Sequence, residues 1–369
     1  MHRPDTPQAL AEALRALADA RQHIHLGGNF SKLQLWRGLE AASAEQLWRG
    51  LEPAASASAG VPGFAFEAGA GETVSTSRMN RLISYDPRDL TISVEAGMPF
   101  AELQRTLAER RQMLPLDPPW LAQSTVGGVV AANLSGPLRR QYGTARDMII
   151  GMTFATLEGK LIASGGMVVK NVAGLDMAKL MIGSFGTLAA IAVVNFKVFP
   201  MPSEWRTLVW NFADVRQAFA LRDRILQSPL QPSAIDIDNL TGEIRLAVRV
   251  GGSPTVLDRW SREHPDASIV EMQNEPNFWA EQREFPARFL EQNQNGSIVP
   301  LHCKLADMPA AAASLKVPFI ARAGSGVIYT FLQNEPNLEL GGGFEMITNI
   351  KRMFDPEHLL NRGRLHGRL

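Results

Sequence analysis

The chain has 369 residues, 37 Lys+Arg against 37 Asp+Glu, a formal net charge of zero and 45% hydrophobic residues. That balance excludes the one-signed surface of a nucleic-acid binder, and the apolar content suffices for a large core at a length that suggests two domains. A single cysteine, Cys303, excludes an internal disulfide and also an iron–sulfur cluster held by this chain alone, since such a cluster takes about four thiolates.

Thr6-Pro7 predicts a helix start, a hydroxyl cap followed by proline in the first turn. Leu10, Leu14 and Leu17 then share one face, and the helix is expected to end near Arg21. Residues 23–26 read as a short strand running into Gly27-Gly28-Asn29-Phe30-Ser31-Lys32. No charged-then-apolar leader precedes it. LWRGLE occurs twice, at 35–40 and 47–52, and an Ala/Ser run follows to Ala59. Two copies are too few for a solenoid, so the segment reads as a local surface duplication, with Trp36 and Trp48 as a candidate contact patch. Gly69-Ala70-Gly71 lacks the third glycine of a nicotinamide fingerprint. Leu90, Ile92 and Val94 alternate with polar residues as in a half-buried strand, and Phe100, Leu103 and Leu107 mark a helix face.

Pro115, Pro118 and Pro119 fix an extended approach to the stretch 124–147, STVGGVVAANLSGPLRRQYGTARD. Gly127 and Gly128 follow Ser124 and Thr125; a small-residue helix (129–133), the turn Ser135-Gly136-Pro137 and the pair Tyr142-Gly143 come next, with no acidic charge before Asp147. Glycine amides beside small hydroxyls suit a pyrophosphate cradle. A tight, buried turn accounts for the same glycines equally well. Arg139 and Arg140 are either phosphate neutralisers or a solvated pair. Residues 148–157 and 160–163 predict a hairpin about Glu158-Gly159, and 189–198 a strand after the glycine turn 183–188. The longest apolar candidate, 180–196, is interrupted by Gly183, Ser184, Gly186, Thr187 and Asn195 and falls short of the ~20 residues of a membrane span. The expectation is a cytoplasmic chain, with peripheral association at the inner membrane face left open. Beyond Pro200, strands at 207–212, 235–237, 244–250, 268–272 and 298–304 alternate with helices at 214–227, 255–263 and 309–315, which predicts an α+β region with an antiparallel sheet.

GGNFSK (27–32), PLDPP (115–119), STVGG (124–128), YGTARDMIIGM (142–152) and KNVAGLDMAKLMIGSFGTL (170–188) resemble the flavin-binding half of the vanillyl-alcohol oxidase / p-cresol methylhydroxylase superfamily. LSGP (134–137) with GGMVVKNVAGLDMAKL (165–180) is most similar, within it, to the FAD-binding E subunits of glycolate oxidase (glycolate dehydrogenase). The resemblance is strong over roughly residues 20–200 and weak beyond them. It implies an α+β fold: a PCMH-type FAD-binding domain of two α+β subdomains at 1–200, a smaller α+β cap with an antiparallel sheet at 201–343, and a C-terminal helix and tail at 344–369 returning towards the flavin. The implied cofactor is FAD. The 27–32 loop holds no histidine, and His25 reads as a strand residue, so the attachment is expected to be noncovalent. The residues implied to bind it are Gly27, Gly28, Asn29, Phe30, Ser31, Lys32, Pro118, Ser124, Thr125, Gly127, Gly128, Ser135, Gly136, Tyr142, Gly143, Asp147, Gly186 and Ile191. Lys170, Gly174 and Asp176 are implied to shape a turn beneath the flavin, where Leu175 replaces a common tyrosine. In the tail Lys351, Phe354, Asp355, Pro356, Asn361 and Gly363 fit the superfamily's closing pattern, and Arg362 replaces its proline.

Hydroxy-acid-oxidising relatives carry a metal motif, GHxGDGNxH. The equivalent stretch here, RAGSGVIYTF (322–331), has neither histidine nor aspartate, and His302 is isolated. No catalytic residue and no metal ligand is therefore assigned to this chain. The resemblance implies two partners, a homologous FAD-containing catalytic subunit and an iron–sulfur subunit, which together oxidise glycolate, or D-lactate, to the 2-oxo acid. The alternatives are a self-sufficient FAD-dependent 2-hydroxy acid dehydrogenase, with Arg322 gripping the substrate carboxylate bidentately, and a scaffold subunit that has lost flavin.

Overall fold

The structure, a computed structural model, describes residues 1–30, 71–167, 176–293, 295–333 and 344–364. Ser31, Lys32, both LWRGLE copies with Trp36 and Trp48, Gly69 and Ala70, and Lys170, Gly174 and Leu175 lie outside the described residues.

Helix α1 (Pro7–Asp19) starts where Thr6 accepts a hydrogen bond from the Ala9 amide at 3.1 Å, and it buries Leu10, Leu14 and Leu17. Strand β1 (Ile24–Gly27) pairs in parallel with β2 (Glu72–Ser75). Next come β3 (Leu82–Asp86), β4 (Thr91–Glu95), α2 (Phe100–Ala108), the short β5 (Gln112–Met113) and α3 (Val126–Ala132). The one-turn helices α4 (Arg139–Tyr142) and α5 (Ala145–Met148) lead to the hairpin β6 (Ile149–Ala155) and β7 (Leu161–Gly165). The single turn α6 (Ala178–Met181) and β8 (Ala190–Lys197) follow, and then β9 (Phe199–Pro200), which pairs with β5. One antiparallel sheet has the order β3-β4-β8-β6-β7. Alternation predicts β4 to be half-buried, but every residue of β4 is buried. It lies between β3 and β8, where Ser93 donates to Asn195 Oδ1 (2.7 Å) and Glu95 accepts from the Arg81 amide (2.9 Å). Its polar residues are thus hydrogen-bonded inside rather than solvated.

The second region contains β10 (Glu204–Phe212), α7 (Val215–Gln227), β11 (Ala234–Asp238), β12 (Ile244–Gly252), α8 (Pro254–Glu263) and β13 (Ser268–Ile269). It continues with α9 (Glu275–Gln292), β14 (Ser297–His302), α10 (Met308–Ser314), β15 (Phe319–Arg322) and β16 (Val327–Leu332). Its seven strands form one antiparallel sheet, β13-β10-β12-β11-β15-β16-β14. The 18-residue α9 is invisible to hydrophobic periodicity, because its buried face includes Glu275 and Gln282 beside Trp279 and Leu290. Glu275 is paired there with Arg249 (2.8 Å), and Gln282 donates to Asp238 (3.1 Å). Helix α11 (Phe344–Phe354) then returns to the first region, with Ile350 and Phe354 against the core of Val126, Val129 and Val194.

Candidate functional site

A cavity open to solvent lies between the end of β1, helix α3, residues 185–191 and the C-terminal tail. Of the residues singled out in the sequence, Gly27, Gly28, Asn29, Phe30, Thr125, Gly127, Gly128, Gly186 and Ile191 line it. Leu26, Thr76, Ala131, Ala132, Phe185, Ala189 and Arg364 line it as well. The small-residue run after Gly128 signals Ala131 and Ala132, but no local pattern signals Arg364.

The other predicted residues stand outside this lining. Pro118 is buried in the approach segment. Ser124 donates to the Trp120 carbonyl (2.7 Å), and the Gly136 amide donates to Asp117 Oδ1 (2.8 Å). Ser135 is buried beside Gly136. Tyr142 packs edge-on against Phe199 at 5.2 Å, Gly143 adopts φ +84°, and Asp147 accepts from the Thr144 amide (2.8 Å) to close a capping box.

The two glycine pairs are used differently. The Gly127 amide donates to the Ala96 carbonyl (2.7 Å), and a Cβ on Gly127 would sit 2.8 Å from the Ala96 Cβ. The Gly128 amide donates to Thr125 Oγ1 (3.2 Å), the cap of α3. This pair therefore spends its amides on the protein and its lack of side chains on close packing. In the 27–30 loop, Ser75 Oγ donates to the Gly28 carbonyl (2.8 Å), and Asn29 Nδ2 donates to the Gln123 carbonyl (3.2 Å). The amides of Gly28, Asn29 and Phe30 have no acceptor among the described residues. A Cβ on Gly28 would collide with the Thr125 side chain.

The tail closes one wall. Asn361 accepts from the Leu26 amide (2.8 Å) and donates to the carbonyls of Leu26 (3.0 Å) and Phe185 (2.8 Å). Gly186 has φ +70°, and a Cβ there would stand 2.8 Å from Asn361 Nδ2. Lys351 is wholly buried; its ammonium donates to Thr187 O (2.7 Å) and Leu360 O (2.9 Å) and pairs with Asp355 at 2.5 Å. Burial pulls the Lys351 pKa down, and the Asp355 carboxylate opposes that. Asp355 in turn accepts from the amides of Leu359 (2.9 Å) and Leu360 (2.7 Å).

A lining of apolar and small side chains, a loop with open amides and one cation fits a cofactor with flat rings and an anionic linker. FAD has that chemistry, and Gly28 lets the loop lie directly against Thr125 at the cavity's edge.

The region facing the seven-stranded sheet is built otherwise. Arg322 is buried and donates to Asp236, its cross-strand partner on β11. Asp117 accepts from the Gly136 and Leu138 amides at 2.8 and 3.1 Å. Burial pushes the carboxyls of Asp117 and Asp236 up to about 6, against the pull of Arg322 on both. The guanidinium of Arg322 is committed to Asp236 and lies outside the cavity lining. The stretch 322–331 forms the β15–β16 hairpin, and among the described residues no group of His, Cys, Asp and Glu gathers to hold a metal. No helix among the described residues is long and apolar enough to cross a membrane.

Residues 53–165 match the FAD binding domain family. The chain is 38% identical over 133 residues to the glycolate oxidase subunit GlcE of Escherichia coli K12, covering 36% of this chain and 38% of that protein. It is 29% identical over 158 residues to the glycolate oxidase subunit GlcD of Bacillus subtilis, covering 43% of this chain and 34% of that protein. Against a D-lactate dehydrogenase of Anaerostipes hadrus it is 30% identical over 177 residues, 48% of this chain and 37% of that one. The chain thus spans well under half the length of these relatives. In fold it is similar to p-cresol methylhydroxylase, with a TM-score of 0.68, 13% identity and coverage of 99% of this chain and 88% of that one. It is also similar to alkyldihydroxyacetonephosphate synthase, with a TM-score of 0.67, 17% identity and coverage of 97% and 74%. Residues 53–165 thus resemble an FAD binding domain, and the chain shares the fold of p-cresol methylhydroxylase.

Proposed function

We propose that this chain is the noncovalent FAD-binding subunit of a glycolate-oxidising complex. It would work with a homologous FAD-containing catalytic subunit and an iron–sulfur subunit, on the cytoplasmic side of the membrane. The substrate is glycolate, or D-lactate, and the product the 2-oxo acid. The cofactor half spans residues 1–200, the cap 201–343, and the tail 344–369 returns to the cofactor. When bound, FAD supplies a reversible electron store in this subunit. The chain's own residues orient it: the 27–30 loop offers amides, Gly28 and Gly127 let the backbone pack closely on Thr125 and Ala96 to shape the wall, and Leu26, Phe185 and Ile191 exclude water from the cavity.

One observation carries the reading. The cavity is kept open and nearly uncharged, while the charged residues facing the seven-stranded sheet are spent on one another, Arg322 on Asp236. A buried arginine already paired with a carboxylate does not present a fork to a substrate carboxylate. The geometry therefore favours a cofactor-holding subunit over the self-sufficient dehydrogenase. Matches to GlcE, GlcD and a D-lactate dehydrogenase support the same substrate class.

The test is the visible spectrum of the purified chain before and after acid precipitation, with glycolate then added. Acid-released flavin that glycolate alone does not bleach, and that bleaches when the catalytic subunit is added, is the expected result. Bleaching of the isolated chain makes it the dehydrogenase itself. A chain that neither carries nor takes up FAD is a scaffold.

A further inference from the structure

Trp120 has φ +56°, a left-handed backbone that an aromatic residue keeps only where its surroundings enforce it. It precedes α3 in the chain, yet its side chain is only 6% exposed and sits in the apolar cluster of α9 and the seven-stranded sheet, with Ala287, Leu290, Ile320 and Phe331. Glu284 of α9 grips the same turn by its backbone. Its carboxylate accepts from the Trp120 amide (2.8 Å) and from the Leu121 amide (3.3 Å). These two amides find no other acceptor among the described residues. Arg283 Nε donates to the same carboxylate (3.0 Å), which fixes its orientation.

The turn runs directly into the cofactor side of the molecule. The Trp120 carbonyl accepts from the Gln123 amide (3.1 Å) and from Ser124 Oγ (2.7 Å), so residues 120–124 form one closed unit. Gln123 offers its own carbonyl to Asn29 Nδ2 (3.2 Å), and Asn29 lines the cavity. Just beyond, the first region holds the chain by itself: the Phe100 amide donates to the Ser124 carbonyl (2.9 Å), and Thr125 pairs with Pro99. The 27–30 loop therefore rests on two supports of different origin. Gly28 lies against Thr125, which is fixed within the first region, and Asn29 hangs on Gln123, whose turn is set by a carboxylate from α9. A charged acceptor shared by two successive amides holds the backbone between them, which is what a left-handed tryptophan needs.

We propose that Glu284 is a positioning residue for the cofactor: it holds the strained Trp120 turn so that Gln123 sets Asn29 and the 27–30 loop against the bound group. The proposal rests on the reading of the cavity as an FAD site. It gives the seven-stranded region a part in cofactor binding, although no described residue of that region lines the cavity. By linkage, cofactor binding tightens the grip of Glu284 on the turn to the same extent.

The experiment measures FAD affinity of the purified full chain, stripped of flavin, for wild type, Glu284→Gln, Asn29→Ala, the double variant and Leu257→Val, with Tm followed in parallel. Glutamine keeps the shape of the side chain but has one acceptor oxygen, so one of the two amides meets an NH2 group. Glu284→Gln is expected to weaken FAD about 3- to 10-fold, and to have little further effect once Asn29 is alanine. Leu257→Val trims a different core cluster of the same region and is expected to lower Tm with FAD affinity unchanged. Unchanged affinity in a folded Glu284→Gln overturns the proposal. So does an equal loss with and without the Asn29 side chain, or a loss in Leu257→Val as large as that in Glu284→Gln. If Glu284→Gln does not fold, hydrogen exchange of the wild type decides: FAD is expected to slow exchange of the Trp120 and Leu121 amides, and unchanged exchange there overturns the proposal. If wild type takes up no FAD, the FAD reading itself fails and the proposal with it.

Discussion

Two pairs of adjacent glycines, Gly27-Gly28 after β1 and Gly127-Gly128 at the start of α3, border the same cavity. They are indistinguishable by composition, yet they work in opposite ways. At Gly127-Gly128 the amides are consumed by Ala96 O and Thr125 Oγ1, and the missing side chains let α3 approach β4's continuation closely. At Gly27-Gly28 the loop leaves the amides of Gly28, Asn29 and Phe30 without acceptors among the described residues. One pair makes the wall and the other faces what the wall encloses. A glycine pair in sequence therefore marks a place where backbone comes close to something, and only tertiary contacts decide whether that something is protein or ligand.

The largest test of this contrast acts through the tail. Lys351→Met strands Asp355 in the interior without its cation, which typically costs about 3–5 kcal/mol. Leu26, in the strand that runs into the 27–30 loop, is tied to the tail through Asn361, whereas the Thr125 cap is bonded to Gly128. Thermal melts with and without FAD should show a large loss of Tm and a disproportionate loss of FAD affinity. If affinity survives at full strength in whatever fraction folds, the first loop does not depend on the tail.

A second test concerns the charged junction that the cavity is contrasted with. Asp236 is buried with a folded-state pKa raised to about 6 by burial. A raised carboxyl contributes stability that is fully present below its unfolded pKa and is lost as pH rises through the folded value. The loss expected between pH 4 and 7 is of order 2–3 kcal/mol for this group. Asp117 is raised for the same reason and adds in the same direction. Tm measured across that range should therefore carry a downward component, and Asp236→Asn should flatten it. A profile unchanged by Asp236→Asn removes the junction as a pH-dependent element.

Next in size is a pair of single-methyl additions. Gly127→Ala presses on Ala96 and should lower the stability of the flavin-free chain by about 1–3 kcal/mol. Gly28→Ala collides with the Thr125 side chain that caps α3, so the loop must move and apo stability falls here too. It should in addition cost FAD affinity, about 10-fold or more, because the displaced loop borders the cavity. FAD affinity unchanged in Gly28→Ala, or lost equally in Gly127→Ala, would erase the distinction between the loops.

Much of this was legible in the sequence, and the rest was not for identifiable reasons. Thr6-Pro7, the Leu10/Leu14/Leu17 face and the Glu158-Gly159 hairpin are local signals, and the structure has each. The helix α9 was missed because its inward face carries Glu275 and Gln282, whose partners Arg249 and Asp238 lie on other strands. Only part of the predicted stretch 268–272 is strand: β13 pairs with β10 over Ser268 and Ile269 alone. Both glycine loops were visible, but the allocation of their amides depends on Ala96 and Thr125. Arg364 carried no signal at all, because its place in the lining comes from Asn361 gripping Leu26 and Phe185. Periodicity reports which face is apolar; it does not report which polar residue is held inside by a distant partner.

The smallest test bears most directly on the contrast. Thr125→Ala removes the cap that occupies the Gly128 amide, which typically costs about 1 kcal/mol. Gly128 lines the cavity, so the released amide becomes an unclaimed donor like those of the 27–30 loop. In the flavin-free chain nothing else accepts it, and the full loss should appear in denaturant melts. With FAD bound, an anionic acceptor in the cavity takes up part of the vacancy, and the loss should shrink. Thr125→Ser keeps the hydroxyl and should behave as wild type in both states. A Thr125→Ala penalty that is the same with and without FAD means the second loop's amides face protein only, and the division of labour between the two glycine pairs is then complete.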